Sequence, residues 1–258
     1  IKRQPVDSYR SQRRGGRGIS GLSTREEDFV ETLFTSSSHS YIMFFTNRGR
    51  VYRIKGYRIP ESSRHAKGTA IVNLLPLERD EKVTAMIDIR DFDHDKYLIM
   101  ATKNGLIKKT SLSEYDSNRK GGRIAIGLND DEELFRAQDV SGDDNIIIST
   151  YLGMAIRFKD SDVRPMGRTA HGVRSINLKE GDRVIGMCVC SDDSELLVVT
   201  EGGYGKKTVL SEYKIQNRGG KGMRTYKISE QTGNIAGVLT VTDEEDIMLI
   251  TSEGVIIR

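Results

Sequence analysis

Thr46-Asn47-Arg48-Gly49-Arg50-Val51-Tyr52-Arg53 is the stretch on which the fold turns. Its skeleton, Thr-x-x-Gly-x-x-x-[Lys/Arg], returns as Thr102–Gly105–Lys109, Thr150–Gly153–Arg157, Thr200–Gly203–Lys207 and Thr251–Gly254–Arg258. Successive threonines lie 56, 48, 50 and 51 residues apart. A period near 50 with strand-like content is the signature of a propeller-type repeat. The same skeleton sets a cation at one fixed place in every repeat.

Working outward, an apolar run precedes each copy: Tyr41–Phe45, Tyr97–Ala101, Asn145–Ser149, Glu195–Val199 and Asp246–Ile250. These runs are too short for helices and rich in β-formers. The glycine suits the positive φ of a tight turn. A return strand follows and carries the cation: 51–55, 106–110, 155–159, 205–210 and 255–258. After a long loop comes a second anchor, Gly-x-x-x-[apolar]-x-[Leu/Ile], at Gly68–Val72–Leu74, Gly122–Ile126–Leu128, Gly172–Ile176–Leu178 and Gly222–Tyr226–Ile228. A weaker copy sits at Gly18–Leu22–Thr24. A last strand closes each unit: Lys82–Ile89, Leu134–Val140, Arg183–Cys190 and Ile235–Val241. Four strands per repeat, little helical periodicity and four prolines predict an all-β radial array of four-stranded blades over residues 1–258, a single domain. The second anchor counts five blades; the last hairpin opens a sixth that is incomplete here.

The composition fits thin, shared cores: 36% hydrophobic residues and no Trp in 258 residues. Two cysteines give no disulfide framework, which points to a reducing cytoplasm. No apolar run approaches the ~18 residues of a membrane span, and there is no signal peptide. The chain opens at Ile1 without Met and closes in a strand-like run, so it reads as a fragment of a longer protein. Net charge is only +3, yet the charges are sorted. Acids gather in one class of loop, at 91–95, 130–133, 143–144, 192–193 and 243–246; bases gather on the return strand and in the loop after it. That sorting predicts a basic and an acidic surface on one body.

The sharpest local feature is Gln12-Arg13-Arg14-Gly15-Gly16-Arg17-Gly18. Glycine lets backbone approach a phosphate chain, and arginine offers forked donors to its oxygens. The run is echoed at the same repeat position by Arg218-Gly219-Gly220-Lys221-Gly222. The other long loops hold Arg64 and Lys67; Arg119, Lys120 and Arg123; Arg164, Arg168 and Arg174; and Arg224. With Arg48, Arg50, Arg53, Lys55, Lys108, Lys109, Arg157, Lys159, Lys206 and Lys207, these are expected to line one rim. Cations at a regular step around a curved rim match a bent rod of regular negative charge, and duplex DNA is such a rod.

No catalytic constellation competes. The four histidines, His39, His65, His94 and His171, lack metal-ligand spacing. Cys188 and Cys190 share a strand face and read as packing. Gly202–Thr208 resembles a phosphate loop, but lacks the Gly-x-x-x-x-Gly-Lys-[Ser/Thr] spacing and sits in a hairpin.

Gln12–Gly18 looks like the gyrase A box, and the array resembles the C-terminal DNA-wrapping domain of the DNA gyrase A protein, part of a bacterial type IIA topoisomerase. Asn47–Tyr52, Gly68–Pro76 and Gly172-Val173-Arg174 are similar to that family's repeats. The resemblance covers essentially the whole chain. It implies a six-bladed β-pinwheel whose blades share strands, with DNA wrapped on a basic rim. It further implies a non-catalytic domain without a cofactor, the catalytic tyrosine lying in the N-terminal part of the gyrase A protein. ATP and Mg would be used on other domains of an A2B2 holoenzyme formed with the gyrase B protein, in the bacterial cytoplasm at the nucleoid. The expected function is sequence-independent DNA binding, bending and chiral wrapping that enables negative supercoiling. The alternatives are a topoisomerase IV-type array that selects DNA geometry without wrapping, a protein-binding propeller, and an enzyme with a site in the central channel.

Overall fold

The computed structural model describes residues 1–5, 32–63, 66–117, 121–245, 247, 249–250 and 256–257. Among them, the first full repeat gives β1 (Tyr41–Thr46), β2 (Arg50–Lys55) and β3 (Val83–Ile89). The next gives β4 (Tyr97–Thr102), β5 (Leu106–Ser111), β6 (Arg123–Ile124) and β7 (Leu134–Val140). The third gives β8 (Asn145–Thr150), β9 (Met154–Lys159), β10 (Val173–Arg174) and β11 (Val184–Cys190). The fourth gives β12 (Glu195–Thr200), β13 (Gly205–Val209), β14 (Met223–Arg224) and β15 (Ile235–Val241), and a final hairpin pairs β16 (Leu249–Ile250) with β17 (Ile256–Ile257).

The threonine of each motif has a mechanical reason. Thr46, Thr102 and Thr150 are fully buried. Each carbonyl accepts the N–H of the turn glycine three residues on, as from Gly49 at 2.9 Å. Each hydroxyl accepts the N–H of the residue after that glycine, from Arg50, Leu106 and Met154 at 3.3, 3.1 and 3.2 Å. One side chain thus closes the hairpin and satisfies an otherwise orphaned donor.

Sheet order explains why the central strands read as unbroken apolar runs. The orders are β3-β1-β2-β6, β10-β5-β4-β7, β11-β8-β9-β14 and β13-β12-β15. In the first, Met43 and Phe45 face the core shared with the next sheet, while Ile42 and Phe44 face the opposite core. A strand covered on both faces loses the polar alternation of a half-exposed one. Each such side chain contributes roughly 1.5–3 kcal/mol by leaving water.

The second anchor is corrected in one respect. It does not build a full strand within its own blade. Its strand is two residues long, and it pairs with the preceding sheet: β6 with β2, β10 with β5, β14 with β9. After Gly68 the chain forms a 3-10 turn, Ile71–Asn73, instead. The anchor's apolar residues then pack beneath the preceding hairpin's turn. A Cβ on Gly153 (φ +87°) would lie 2.5 Å from the Tyr226 carbonyl oxygen and 3.2 Å from Ile228, so this glycine is required by close approach as well as by φ.

Neighbouring sheets meet through β3, β7, β11 and β15, each against the next. These strands are therefore the inner ones, and β6, β10 and β14 form the outer edge. The described residues contain five sheets; the count of six implied by resemblance rests partly on residues outside them.

Candidate nucleic-acid interface

In three of the described repeats the motif cation turns inward. Lys109 is 4% exposed and pairs at 2.9 Å with Asp160, itself 0% exposed. Arg157, 6% exposed, donates to the Leu210 and Tyr213 carbonyls at 2.9 and 3.3 Å, to Asn145 at 3.2 Å, and to Asp192. The Arg53 guanidinium lies 4.6 and 4.5 Å from the Tyr41 and Phe92 ring centres and pairs with Asp116 at 3.0 Å. Asp160 and Leu210 occupy the same place, the start of the 3-10 turn after the next repeat's return strand. At Arg53, Lys109 and Arg157 the recurring cation is therefore a tie between blades; Lys207 is exposed and pairs within its own sheet. Arginine's fork satisfies itself on two carbonyls and an amide; lysine, a point charge, is given a carboxylate. Assignment of Lys109 and Arg157 to the exposed rim is corrected: burial and neighbouring carbonyls or carboxylate hold them away from any phosphate.

Lys108 is corrected likewise. Its ammonium is fully buried and donates to the Ala125 carbonyl at 2.6 Å and to that of Arg168. Burial, with the Arg168 charge nearby, pulls its pKa down to about 7.

One tie was missed by sequence reasoning. Arg3 forms the same parallel bridge to the next loop, Arg3 with Glu61, that Lys109 forms with Pro165 and Arg157 with Ile215. The carbonyls of Arg3, Lys109 and Arg157 accept the N–H groups of Ser62, Met166 and Gln216 at 3.1, 2.8 and 2.8 Å. The Arg3 side chain donates to the Ile59 carbonyl and pairs with Glu61. Ile1–Arg3 thus stands where a return strand stands in the other repeats. The available signal was Ile1-Lys2-Arg3 against Ile107-Lys108-Lys109, 106 residues apart.

The remaining cations divide by partner. Arg48 and Arg50 pair with Glu78, Lys159 with Asp143, and Lys207 with Glu195 and Asp243. Arg123 is half-buried and donates to the Glu114 carbonyl. Arg168 and Arg218 are half-buried, while Lys67, Arg164, Arg174, Lys206, Lys221 and Arg224 are exposed. Among the described residues, no carboxylate pairs with any of those six. Arg174 and Arg224 lie on β10 and β14, at the outer edge; Arg164 and Lys221 lie in the loops leading into them. At the third outer strand, β6, the corresponding residue is Ile124, 49% exposed. Gln12, Arg13, Arg14, Gly15, Gly16, Arg17 and Gly18, with Arg64, Arg119 and Lys120, lie outside the described residues.

Charge sorts by radius. The acidic loops fall at both ends of the inner strands: 130–133 lead into β7 and 143–144 follow it, while 180–182 lead into β11 and 192–193 follow it. The expectation that they share one class of loop is corrected: 130–133 precede β7 and 143–144 follow it. A polyanion is repelled from the ends of the inner strands and attracted to the outer edge. Among the described residues no group of three or more His, Cys, Asp or Glu is placed to hold a metal ion. Cys188 and Cys190 are buried, with thiol pKa values raised mainly by that burial.

A family model described as "DNA gyrase C-terminal domain, beta-propeller" matches residues 1–37, 40–90, 96–141, 144–191 and 194–242. The DNA gyrase A protein of Staphylococcus epidermidis is 51% identical over 261 residues, covering 100% of this chain and 29% of that protein. That of Staphylococcus aureus is 49% identical over the same shares. The chain thus spans under a third of the length of these relatives. A solved DNA gyrase A C-terminal domain superposes with a TM-score of 0.82 at 28% identity, covering 96% of this chain and 82% of that one. The C-terminal domain of a DNA topoisomerase IV gives 0.79 at 27% identity, covering 99% and 78%.

Proposed function

This chain belongs to the DNA gyrase C-terminal domain family, and from that premise we propose that it binds duplex DNA along its outer edge and bends it into a chiral wrap. One observation carries the reading: exposed cations at the outer edge, Arg174, Arg224, Arg164 and Lys221, that pair with no carboxylate among the described residues, against acidic loops at both ends of the inner strands. Phosphate contacts of this kind are independent of sequence. Bending 20–30 base pairs through 40–90° costs roughly 1–6 kcal/mol, and several distributed cations, each releasing counterions, offset it. Gln12–Gly18 is proposed to fix one end of the wrapped segment. In the whole gyrase A protein, paired with the gyrase B protein in the bacterial cytoplasm, the wrap would present DNA for ATP-driven negative supercoiling. The domain itself would be non-catalytic and without cofactor.

Likeness to a topoisomerase IV C-terminal domain supports a second reading, DNA binding for geometry selection without wrapping. Energy transfer between dyes at the two ends of a duplex separates them. Wrapping predicts a saturable rise in transfer with added protein; binding without such a rise leaves the second reading standing.

A further inference from the structure

Two half-buried arginines on the basic edge reach back to the same place, the second residue of the preceding outer strand. Arg168 and Arg218 each stand four residues before an anchor glycine, Gly172 and Gly222. Arg168 Nη1 donates to the Ile124 carbonyl at 3.2 Å, with its Nε 3.7 Å from the Glu114 carboxylate; Arg218 Nη1 donates to the Arg174 carbonyl at 3.2 Å, and its Nε to the Asp162 carbonyl at 2.9 Å. Ile124 and Arg174 are the second residues of β6 and β10. Backbone bonds fasten the same junction, Gly219 N–H to the Ser175 carbonyl at 2.7 Å and Asn177 N–H to that of Gly220 at 2.8 Å. An outer strand only two residues long has little ladder of its own to hold it.

We infer that Arg168 and Arg218 are positioning residues: they clasp the outer strand of the preceding blade from the next loop, and Arg218 so fixes the exposed side chain of Arg174 for phosphate without gripping phosphate itself. The inference rests on the proposed reading of the outer edge as the DNA surface. Chemistry separates the two roles. A phosphate contact tolerates lysine, which binds phosphate as a point charge; a fork spread over two carbonyls does not.

The test is binding of the full chain to a random-sequence duplex, by fluorescence anisotropy over a salt series, for R218A, R218K, R174A and R218A/R174A. We expect R218K and R218A to weaken binding alike, roughly three- to tenfold, the equivalent of one net hydrogen bond. The salt slope should stay that of wild type in both. R218A should add nothing in the R174A background. Wild-type affinity in R218K, with a slope lowered by about one in R218A, would overturn the inference and make Arg218 a direct contact. If R174A changes neither affinity nor slope, the reading of the edge fails, and the positioning role falls with it. R168A, whose clasp holds Ile124 rather than a cation, should leave the salt slope unchanged, and hydrogen exchange at Gly219 and Asn177 shows whether the Arg218 clasp, rather than the whole fold, has opened.

Discussion

Lys109 and Asp160 show how far a residue's chemistry can be read from its position. The repeat places a cation at 53, 109, 157 and 207 and says nothing of where its side chain goes. That is settled by turns about 50 residues downstream, such as Leu210 for Arg157, a long-range contact no local pattern records. Lys109→Met leaves Asp160 buried and unpaired, and should destabilise the fold by about 3–5 kcal/mol in chemical denaturation. Pairing it with Asp160→Leu, the residue that serves Arg157's slot, should recover much of that loss. No recovery would mean that the pair is not the tie described. Lys108 makes a second prediction. Unfolded, it keeps its proton to about its ordinary 10.5; folded, with Arg168 and Glu114 around it, it gives the proton up near 7. Between those values the unfolded chain binds more protons, so stability rises with pH. Lys108→Met should flatten that rise. An unchanged pH profile would show that Lys108 keeps an ordinary pKa in the fold.

The hairpins are legible in the sequence; the place of the outer strands is not. The Thr-x-x-Gly turn repeats because each copy meets the same backbone demand, a buried hydroxyl under the turn and a carbonyl pressed against its glycine. The exception supports this. Nothing lies within 4 Å of a Cβ on Gly203, because β13 has no described outer strand beside it. Gly203→Ala should therefore cost about 1–2 kcal/mol for the left-handed conformation alone, while Gly153→Ala adds displacement of the Tyr226 backbone and should cost at least twice that. Equal losses in thermal melts would contradict the packing described. The sharing of strands between blades was implied only by family resemblance, since strands of two residues leave no periodicity to detect. At this scale, too, Arg174→Ala and Arg224→Ala should each lower the salt slope of DNA binding by about one, whereas Arg48→Ala, its charge already engaged by Glu78, should leave it unchanged.

For the whole molecule, the fold class, the period and the strand positions were readable from Thr46–Arg53 and its copies. The radial sorting of charge was not, because sequence does not say which strand is innermost. Acids at 130–133 and 143–144 look alike along the chain, yet bracket one inner strand, β7. Replacing Arg13, Arg14 and Arg17 with Ala in the assembled enzyme should abolish supercoiling and leave relaxation largely intact; equal loss of both would remove the special role proposed for Gln12–Gly18. The central claim is that duplex DNA curls around the outer edge with one handedness. Its most direct measurement is the linking number of a nicked circle religated with this chain bound. The account predicts a shift of a single sign that grows with protein and saturates, and is reduced in Arg174→Ala/Arg224→Ala. Linking numbers unchanged at saturating protein would contradict it.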